Sequence, residues 1–449
     1  MSKDIRIKKG LDIKLKGKAE EVISTVNRSK VYTINPSDFH GIVPKMLVKE
    51  GDSVQAGTPI FYSKTDEAIK IVSPVSGTIQ EILRGEKRVI LSIKILADAS
   101  DSYLQHQVKD PSSMSLDEVK NLLLASGCWS FIKQRPYDVL AKSTDTPKSI
   151  FVSTYATAPL EADVEFTLSE NLNAFQAGIT ALSKLTSGNL HLGIKGKGKS
   201  IFKGIKDAKI HEVYGPHPAG NVGVQISKID PINSGERVWV VGAQDVAIIG
   251  ELFLSGKYNA TRTLALVGSE VKEPKYYTVK IGATVSDIVS GNIKSENVRY
   301  ISGNVLTGKK KNLEDSLGHY DHTFTVIPEG NTYRMFGWMP FASPQVHSAS
   351  RTGLSWLMPS KKYALNTNLN GEERALVVTG EMEEVMPIKI FPMQLLKACL
   401  ANDIEAMENL GIYEVAPEDF ALIDYTNTSK LEAQELIREA LDLMIKEVG

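Results

Sequence analysis

Val48-Lys49-Glu50-Gly51-Asp52-Ser53-Val54-Gln55-Ala56-Gly57-Thr58-Pro59-Ile60, continued after Ser63 by Lys64-Thr65-Asp66-Glu67-Ala68-Ile69-Lys70-Ile71-Val72-Ser73-Pro74-Val75-Ser76-Gly77-Thr78-Ile79, decides how the chain begins. Turn residues recur every few positions with apolar residues between them, which predicts short strands rather than helices. Gly51, Gly57 and Gly77 are expected to supply the left-handed backbone positions of tight turns, and Val48, Val54, Ile60, Ile71, Val75 and Ile79 to fill the inside. The pattern runs from about Val31 to about Leu96 and predicts a barrel- or sandwich-like β module, placed at residues 1–100.

Downstream the pattern changes. Ser149–Val152, Asn189–Ile194 and Arg237–Val241 read as strands, and Asn171–Leu185 and Ala243–Leu254 as helices. Such alternation predicts an α/β, Rossmann-like domain with a largely parallel sheet over 101–256, entered near a capping box at Ser115-Leu116-Asp117-Glu118. Residues 257–335, rich in β-branched side chains with a short helix over Thr284–Val289, fit a β-grasp module. The remainder, 336–449, opens with an aperiodic stretch from Phe341 to Asn370, the kind of long loop that usually serves function or interaction. It continues as helix: Leu396, Leu400, Ile404 and Met407 repeat at helical spacing before Gly411. A last helix is expected from a capping box at Ser429-Lys430-Leu431-Glu432, with Ile437, Leu441, Met444 and Val448 on one stripe.

A chain of 449 residues exceeds the size of a single hydrophobic core. Its 52 basic and 53 acidic residues create no global field that would draw it to nucleic acid. The N-terminus lacks the apolar region of a secretory signal, and the most apolar run, Val238–Gly250, is interrupted by Gln244 and Asp245, so no transmembrane segment is expected. Two distant cysteines, Cys128 and Cys399, exclude a disulfide framework and any four-cysteine metal or iron–sulfur site made by this chain alone. His319 and His322 are the one close histidine pair and are expected to decorate a turn. The lysines between Gly193 and Ser200 depart from the phosphate-loop pattern and read as a solvated basic loop.

Tyr214-Gly215-Pro216-His217-Pro218-Ala219-Gly220-Asn221-Val222-Gly223 is the most constrained string, with two prolines and three glycines after a strand. It reads either as the wall of a ligand cleft, with His217 as a donor to a quinone carbonyl or as a general acid, or as a rigid turn that orients the next element.

The opening β stretch resembles the biotinyl/lipoyl carrier family. That family places its acceptor lysine just after the Thr-Asp of the hairpin, whereas here Thr65-Asp66 is followed by Glu67. Over essentially its whole length the chain resembles the A subunits of the bacterial Na⁺-pumping NADH:quinone reductases, through G-P-H-P-A-G-N-V-G-V-Q-I (215–226) and E-V-M-P-I-K-I-F-P-M-Q-L-L (384–396). It is more distantly similar to the C subunit of the Rnf complex and to the flavin-bearing subunit of respiratory complex I, families that bind NADH and flavin. Where those families carry a glycine-rich loop, this chain has Ala125-Ser126-Gly127-Cys128-Trp129-Ser130-Phe131-Ile132-Lys133, whose aromatic side chains would block backbone approach to a flavin. Their acidic flavin-contacting segment corresponds to Ser153–Glu161, with little acid left, and their cysteine cluster is missing from the tail.

The resemblance therefore implies a peripheral subunit on the cytoplasmic face of the bacterial inner membrane, held there by the other subunits. No cofactor would be tightly bound here; flavins and iron–sulfur centres belong to the partners, and quinone is the ligand this chain would meet. Trp129, Phe131, Arg135 and Tyr137, with His217, are the candidate quinone contacts; the alternative is that Trp129 and Phe131 plug the old flavin pocket. Two other functions stay open: a ligand-free scaffold that clasps a partner with the Phe341–Asn370 loop, and a stand-alone flavin- or nucleotide-binding oxidoreductase.

Overall fold

Residues 4–332, 336, 339, 346–349, 351 and 353–449 are described in the computed structural model. The carrier-like module consists of two antiparallel sheets. One orders Val31–Ile34, Ile90–Ala97, Gly77–Arg84 and Ser53–Val54; the other orders Pro44–Met46, Pro59–Ser63 and Asp66–Val72. Gly51 and Gly57 take the expected left-handed conformation, at φ +88° and +93°. Gly77 does not: it begins a strand, and the need for glycine is close approach, since a Cβ would lie 2.1 Å from the Leu96 carbonyl oxygen. The hairpin tip is docked. Asp66 accepts the Ser143 backbone N–H at 2.7 Å and the Ser143 hydroxyl at 3.0 Å, which ties the module to the α/β domain.

The first 25 residues lie outside this module. Strand β1 (Asp4–Arg6) joins the edge of the α/β sheet, and Glu20–Thr25 pairs with Lys275–Lys280 in the β-grasp sheet. The span expected for this module, residues 1–100, thus includes strands that pair outside its sheets, and the apolar Ile5 and Ile7 find their core against the α/β domain and the tail.

The α/β sheet contains β2 (Ile132–Arg135), β3 (Ser149–Ser153), β4 (Asn189–Lys195), β5 (Lys209–Tyr214) and β6 (Val238–Val241) in the order β1-β5-β4-β3-β6-β2, with the short Val139–Leu140 beyond β2. From β3 the chain steps outward through β4 to β5, then returns to place β6 on the other side of β3, so the strand order reverses there. Helix α1 (Leu116–Ser126) starts on the predicted Ser115–Glu118 capping box. Helices α2 (Leu172–Ser183) and α4 (Ala243–Ser255) press backbone to backbone, and α3 (Val222–Ile229) follows β5. A Cβ on Gly250 would lie 1.7 Å from the Ala174 carbonyl oxygen, and one on Gly178 2.0 Å from that of Val246.

The β-grasp sheet orders Lys309–Lys311, Val298–Ser302, Thr323–Pro328, Thr261–Val267, Lys275–Lys280 and Glu20–Thr25, crossed by the short helix Val285–Val289. It shares one hydrophobic core with the carrier-like module, in which Ile60, Ile71 and Ile93 meet Leu264, Phe324 and Val326.

Two helical expectations are corrected. The Leu396–Met407 repeat is two helices, α5 (Pro392–Ala401) and Ile404–Asn409, because Asn402 turns left-handed at φ +54° and Asp403 caps the second; Leu400 is exposed. The last helix, α6 (Ala433–Glu447), does not start on a Ser429–Glu432 box. The Asp424 carboxylate accepts the Ala433 N–H at 2.6 Å, while Ser429 donates to Asn427. Ile437, Leu441 and Met444 are buried as expected, and Val448, past the end of α6, is exposed. Of the Phe341–Asn370 loop, residues 341–345, 350 and 352 lie outside the described residues; it includes a short turn at Leu354–Leu357 and a bridge from Tyr363 to Leu15.

Overpacked interiors lose stability in proportion to the backbone that must move. Gly250→Ala is expected to cost about 1–3 kcal/mol by forcing α2 from α4; scanning calorimetry would read it, and an unchanged melting temperature would mean the helices separate freely.

Candidate functional site

Open α/β sheets bind ligands outside the carboxyl ends of their strands where strand order reverses. Here the carboxyl end of β3 is covered by the chain's own loop. Ser153 donates to the Gly220 carbonyl at 2.8 Å, Gln225 donates to the Ser153 hydroxyl at 2.8 Å, and Thr154 donates to the Gly193 carbonyl at 3.0 Å. Gly193 is glycine because the Gln225 side chain lies on it, and Gly220 because it abuts the Tyr155 carbonyl. His217 secures the loop: its backbone N–H donates to the Asp12 carboxylate at 2.9 Å and its ring Nδ1 lies 3.1 Å from the Thr157 hydroxyl. Buried to 3 % exposure, His217 is held below the usual imidazole range by burial, against the pull of Glu161 and Asp12.

The segment after α1 fills the interior. Gly127 is left-handed at φ +80°, and the turn Cys128–Phe131 is buried throughout. Trp129 donates its indole N–H to the Ala141 carbonyl at 2.8 Å and meets Trp239 edge-on at 5.3 Å. Phe131 is stacked between Tyr258 and His319. Arg135, 2 % exposed, pairs with Asp419 and Glu418, each at 2.6 Å. Tyr137 meets Tyr413 edge-on, with the Arg237 guanidinium 6.0 Å from its ring centre. Arg135 also packs against Gly223, and Asn221 donates to the Glu418 carbonyl, so the His217 loop is joined to the Arg135 cluster rather than to Trp129 and Phe131. None of the five candidate side chains lines the cleft where the modules meet. Cys128 is a buried thiol pushed up to about 12 by burial and is unreactive there.

Beside this segment lies a cleft of about 430 Å³ where all four modules meet. The carrier-like module contributes Asp38 and His40, the α/β domain Lys133, Asp138 and Glu161, the β-grasp sheet Tyr320 and His322, and the tail Glu418 and Arg438. Lys133 lies 4.2 Å above the Tyr320 ring, and the Tyr320 hydroxyl donates to the Ser130 carbonyl at 2.7 Å. His322 and Glu161 form an ion pair at 3.7 Å. Burial disfavours both charges, but mutual attraction prevails, raising His322 and lowering Glu161. Asp138 is likewise pushed up by burial and brought down overall by Lys133 and Arg135. Glu418 is pushed up to about 7, burial outweighing Arg135.

The turn expected at His319 and His322 is present, the Asp321 N–H donating to the Gly318 carbonyl at 3.2 Å, but the two are more than its decoration: His319 is buried against Phe39 and Phe131, and His322, just past the turn, pairs with Glu161 at the cleft wall. Lys133, which the candidate residues did not include, is the β2 side chain that lines the cleft; it shares the parity of Phe131 and Arg135, so alternation along the strand could not single it out. Among the described residues no three His, Cys, Asp or Glu side chains could hold a metal ion. Such a cleft offers an aromatic face, cationic donors and a coupled imidazole–carboxylate pair, the groups that bind a flat, carbonyl-bearing ligand.

A barrel-sandwich module, an α/β sheet whose ligand crevice is filled from within, a β-grasp sheet and a helical tail, welded round one cleft, define a multidomain α/β protein with no helix long and apolar enough to cross a membrane among the described residues. Family models match in the same order along the chain: the NqrA N-terminal barrel-sandwich hybrid domain over residues 5–98, which takes in the leading strands as well as the carrier-like module, the NqrA second alpha/beta domain over 114–258, and the NQRA C-terminal domain over 263–312. The A subunit of the Na(+)-translocating NADH-quinone reductase of Marinomonas sp. (strain MWYL1) is 36% identical over 445 residues, covering 98% of this chain and 99% of its own. That of Haemophilus influenzae (strain ATCC 51907 / DSM 11121 / KW20 / Rd) is 36% identical over 448 residues, covering 99% and 100%. The chain belongs to the NqrA family. A solved NAD+-reducing [NiFe]-hydrogenase in the H2-reduced state aligns with 75% of this chain and 62% of its own at a TM-score of 0.37 and 10% identity, too loosely to bear on the site.

Arg135→Met leaves Asp419, whose side chain is 0 % exposed, without its counter-charge, and is expected to cost about 3–5 kcal/mol in urea denaturation. Adding Asp419→Asn should recover part of that loss. His217 and His319 are both depressed by burial, so the unfolded chain binds protons near pH 6.5 that the folded chain refuses. Their stabilisation is complete above that pH and falls as pH drops below it, partly offset by the raised His322. Urea midpoints should therefore decrease from pH 7.5 to 5.5, with a shallower slope in His319→Gln.

Proposed function

We propose that this chain is the peripheral A subunit of a Na⁺-translocating NADH–quinone reductase, held on the cytoplasmic face of the bacterial inner membrane by the other subunits. The observation that carries the reading is the end-to-end similarity to relatives of that name, across all four modules. Reduction of quinone by NADH with Na⁺ export is a property of the assembly. The filled crevice at β3 and the aromatic turn Cys128–Phe131 support a chain that binds neither flavin nor iron–sulfur centres, these being the partners'.

In this reading the chain contacts quinone in the four-module cleft. The headgroup lies against Tyr320, with Lys133 and His322 donating to its carbonyl oxygens. Trp129 and Phe131 shape the wall from behind, while Arg135, Tyr137 and the His217 loop hold its floor to the tail. A hydrogen bond from a charged donor contributes about 1.5–3 kcal/mol. Lys133→Ala and His322→Ala should each weaken saturable binding of a short-chain ubiquinone, in the purified chain and in the assembled complex, about tenfold or more. Trp129→Phe should leave binding unchanged. Absence of saturable binding to the wild-type chain would leave it a scaffold and move quinone contact to its partners. Loss of Na⁺-stimulated quinone reduction from membranes lacking this chain, restored by adding it back, tests its membership of the complex.

A further inference from the structure

No Asp or Glu occurs between Glu329 and Glu372, although 53 acids in 449 residues would place about five there; Arg334, Arg351, Lys361 and Lys362 do occur. Within this acid-free stretch the turn Leu354–Leu357 holds large apolar side chains out in solvent: Leu354 is 44% exposed, Trp356 54%, Leu357 57% and Met358 44%. Isolated exposed apolar residues are ordinary, but a contiguous set on a polar surface marks contact with something apolar.

The turn is firmly mounted. The Gly353 N–H donates to the Ser348 hydroxyl, and the Ser348 N–H to the Ser355 hydroxyl, both at 3.0 Å. Just beyond it, Tyr363 exchanges backbone hydrogen bonds with Lys14 and Lys16 across an isolated bridge to Leu15, at 2.8 and 2.9 Å. Lys14 donates its ammonium to the Pro359 carbonyl at 2.7 Å. Lys14, held on Pro359, and Arg351, Lys361 and Lys362, close to the turn in sequence, give a basic collar to an apolar tip in which tryptophan is the most amphipathic member.

We propose that the Leu354–Met358 turn inserts into the headgroup layer of an anionic bilayer, burying Trp356, Leu357 and their neighbours at the acyl boundary while the basic collar meets lipid phosphates. Trp and Leu beside Lys and Arg form the composition of interfacial anchors, and a stretch of chain without carboxylates brings no repulsion of its own to anionic lipid. The inference rests on the peripheral-subunit reading and names the face that meets the membrane. One turn gives weak attachment by itself and would orient a chain that its partners retain.

The test is co-sedimentation of the full-length chain with phosphatidylcholine vesicles, with and without phosphatidylglycerol. Binding should require phosphatidylglycerol, weaken with salt, and fall about tenfold or more in Trp356→Ser/Leu357→Ser. Lys361→Gln/Lys362→Gln should lower it without changing the melting temperature. Brominated lipid should quench fluorescence in the wild type and less in Trp356→Phe. No binding to anionic vesicles, or binding indifferent to the double serine variant, overturns the proposal. Loss of membrane-subunit capture in that variant without vesicle binding assigns the turn to a protein groove instead. Vesicle binding by a chain that fails to restore quinone reduction to depleted membranes would keep this inference and refute the reading of the chain as part of the complex.

Discussion

Arg135 is a permanent charge at 2 % exposure, and the arrangement of the modules follows from its need for partners. Asp419 and Glu418 come from the tail, almost 300 residues later, and Gly223 is glycine so that the guanidinium can pass. Satisfying one buried charge therefore requires β2, the start of α3 and the tail to be in place together. The same cluster closes one end of the cleft, where Glu418 and Asp138 stand at its wall. The cleft is a by-product of the weld, which explains why it is lined by every module and belongs to none.

Two cores reinforce the weld. The carrier-like module and the β-grasp sheet share one, and Ile5, Ile7, Val213 and Val224 share another with the tail helices. With Asp66 fixed on Ser143, the hairpin that serves related folds as a swinging arm is a strut here. Neither core offers a surface along which a module could part from its neighbour without exposing apolar area.

Local chemistry was legible in the sequence wherever local physics decides the outcome. The Ser115–Glu118 box, the left-handed Gly51 and Gly57, and the alternation of β3, α2, β4, β6 and α4 depend on neighbours within a few residues. What escaped depended on distant partners. Asp424, not Ser429, caps α6; Gly77 answers to Leu96; the close pair His319 and His322 diverge, one into a core and one to Glu161. The same holds for the site. The sequence pointed to the segment Trp129–Tyr137, but only the packing shows that Trp129 and Phe131 fill the interior while Lys133, of the same parity, reaches the cleft.

The threading of the first 25 residues has a consequence for biosynthesis. Asp4–Arg6 pairs with Glu212–Tyr214, and Glu20–Thr25 with Lys275–Thr278, so both strands pair with partners made much later than themselves. At ribosomal rates of about 5–20 residues per second, β1 waits roughly 10–40 s for its partner. Meanwhile the carrier-like β strands, whose pairings are mostly local, can close behind it. The charges of Asp4, Arg6, Lys8 and Lys9 suit that interval, keeping an unpaired strand soluble while its edge of the sheet is still being translated.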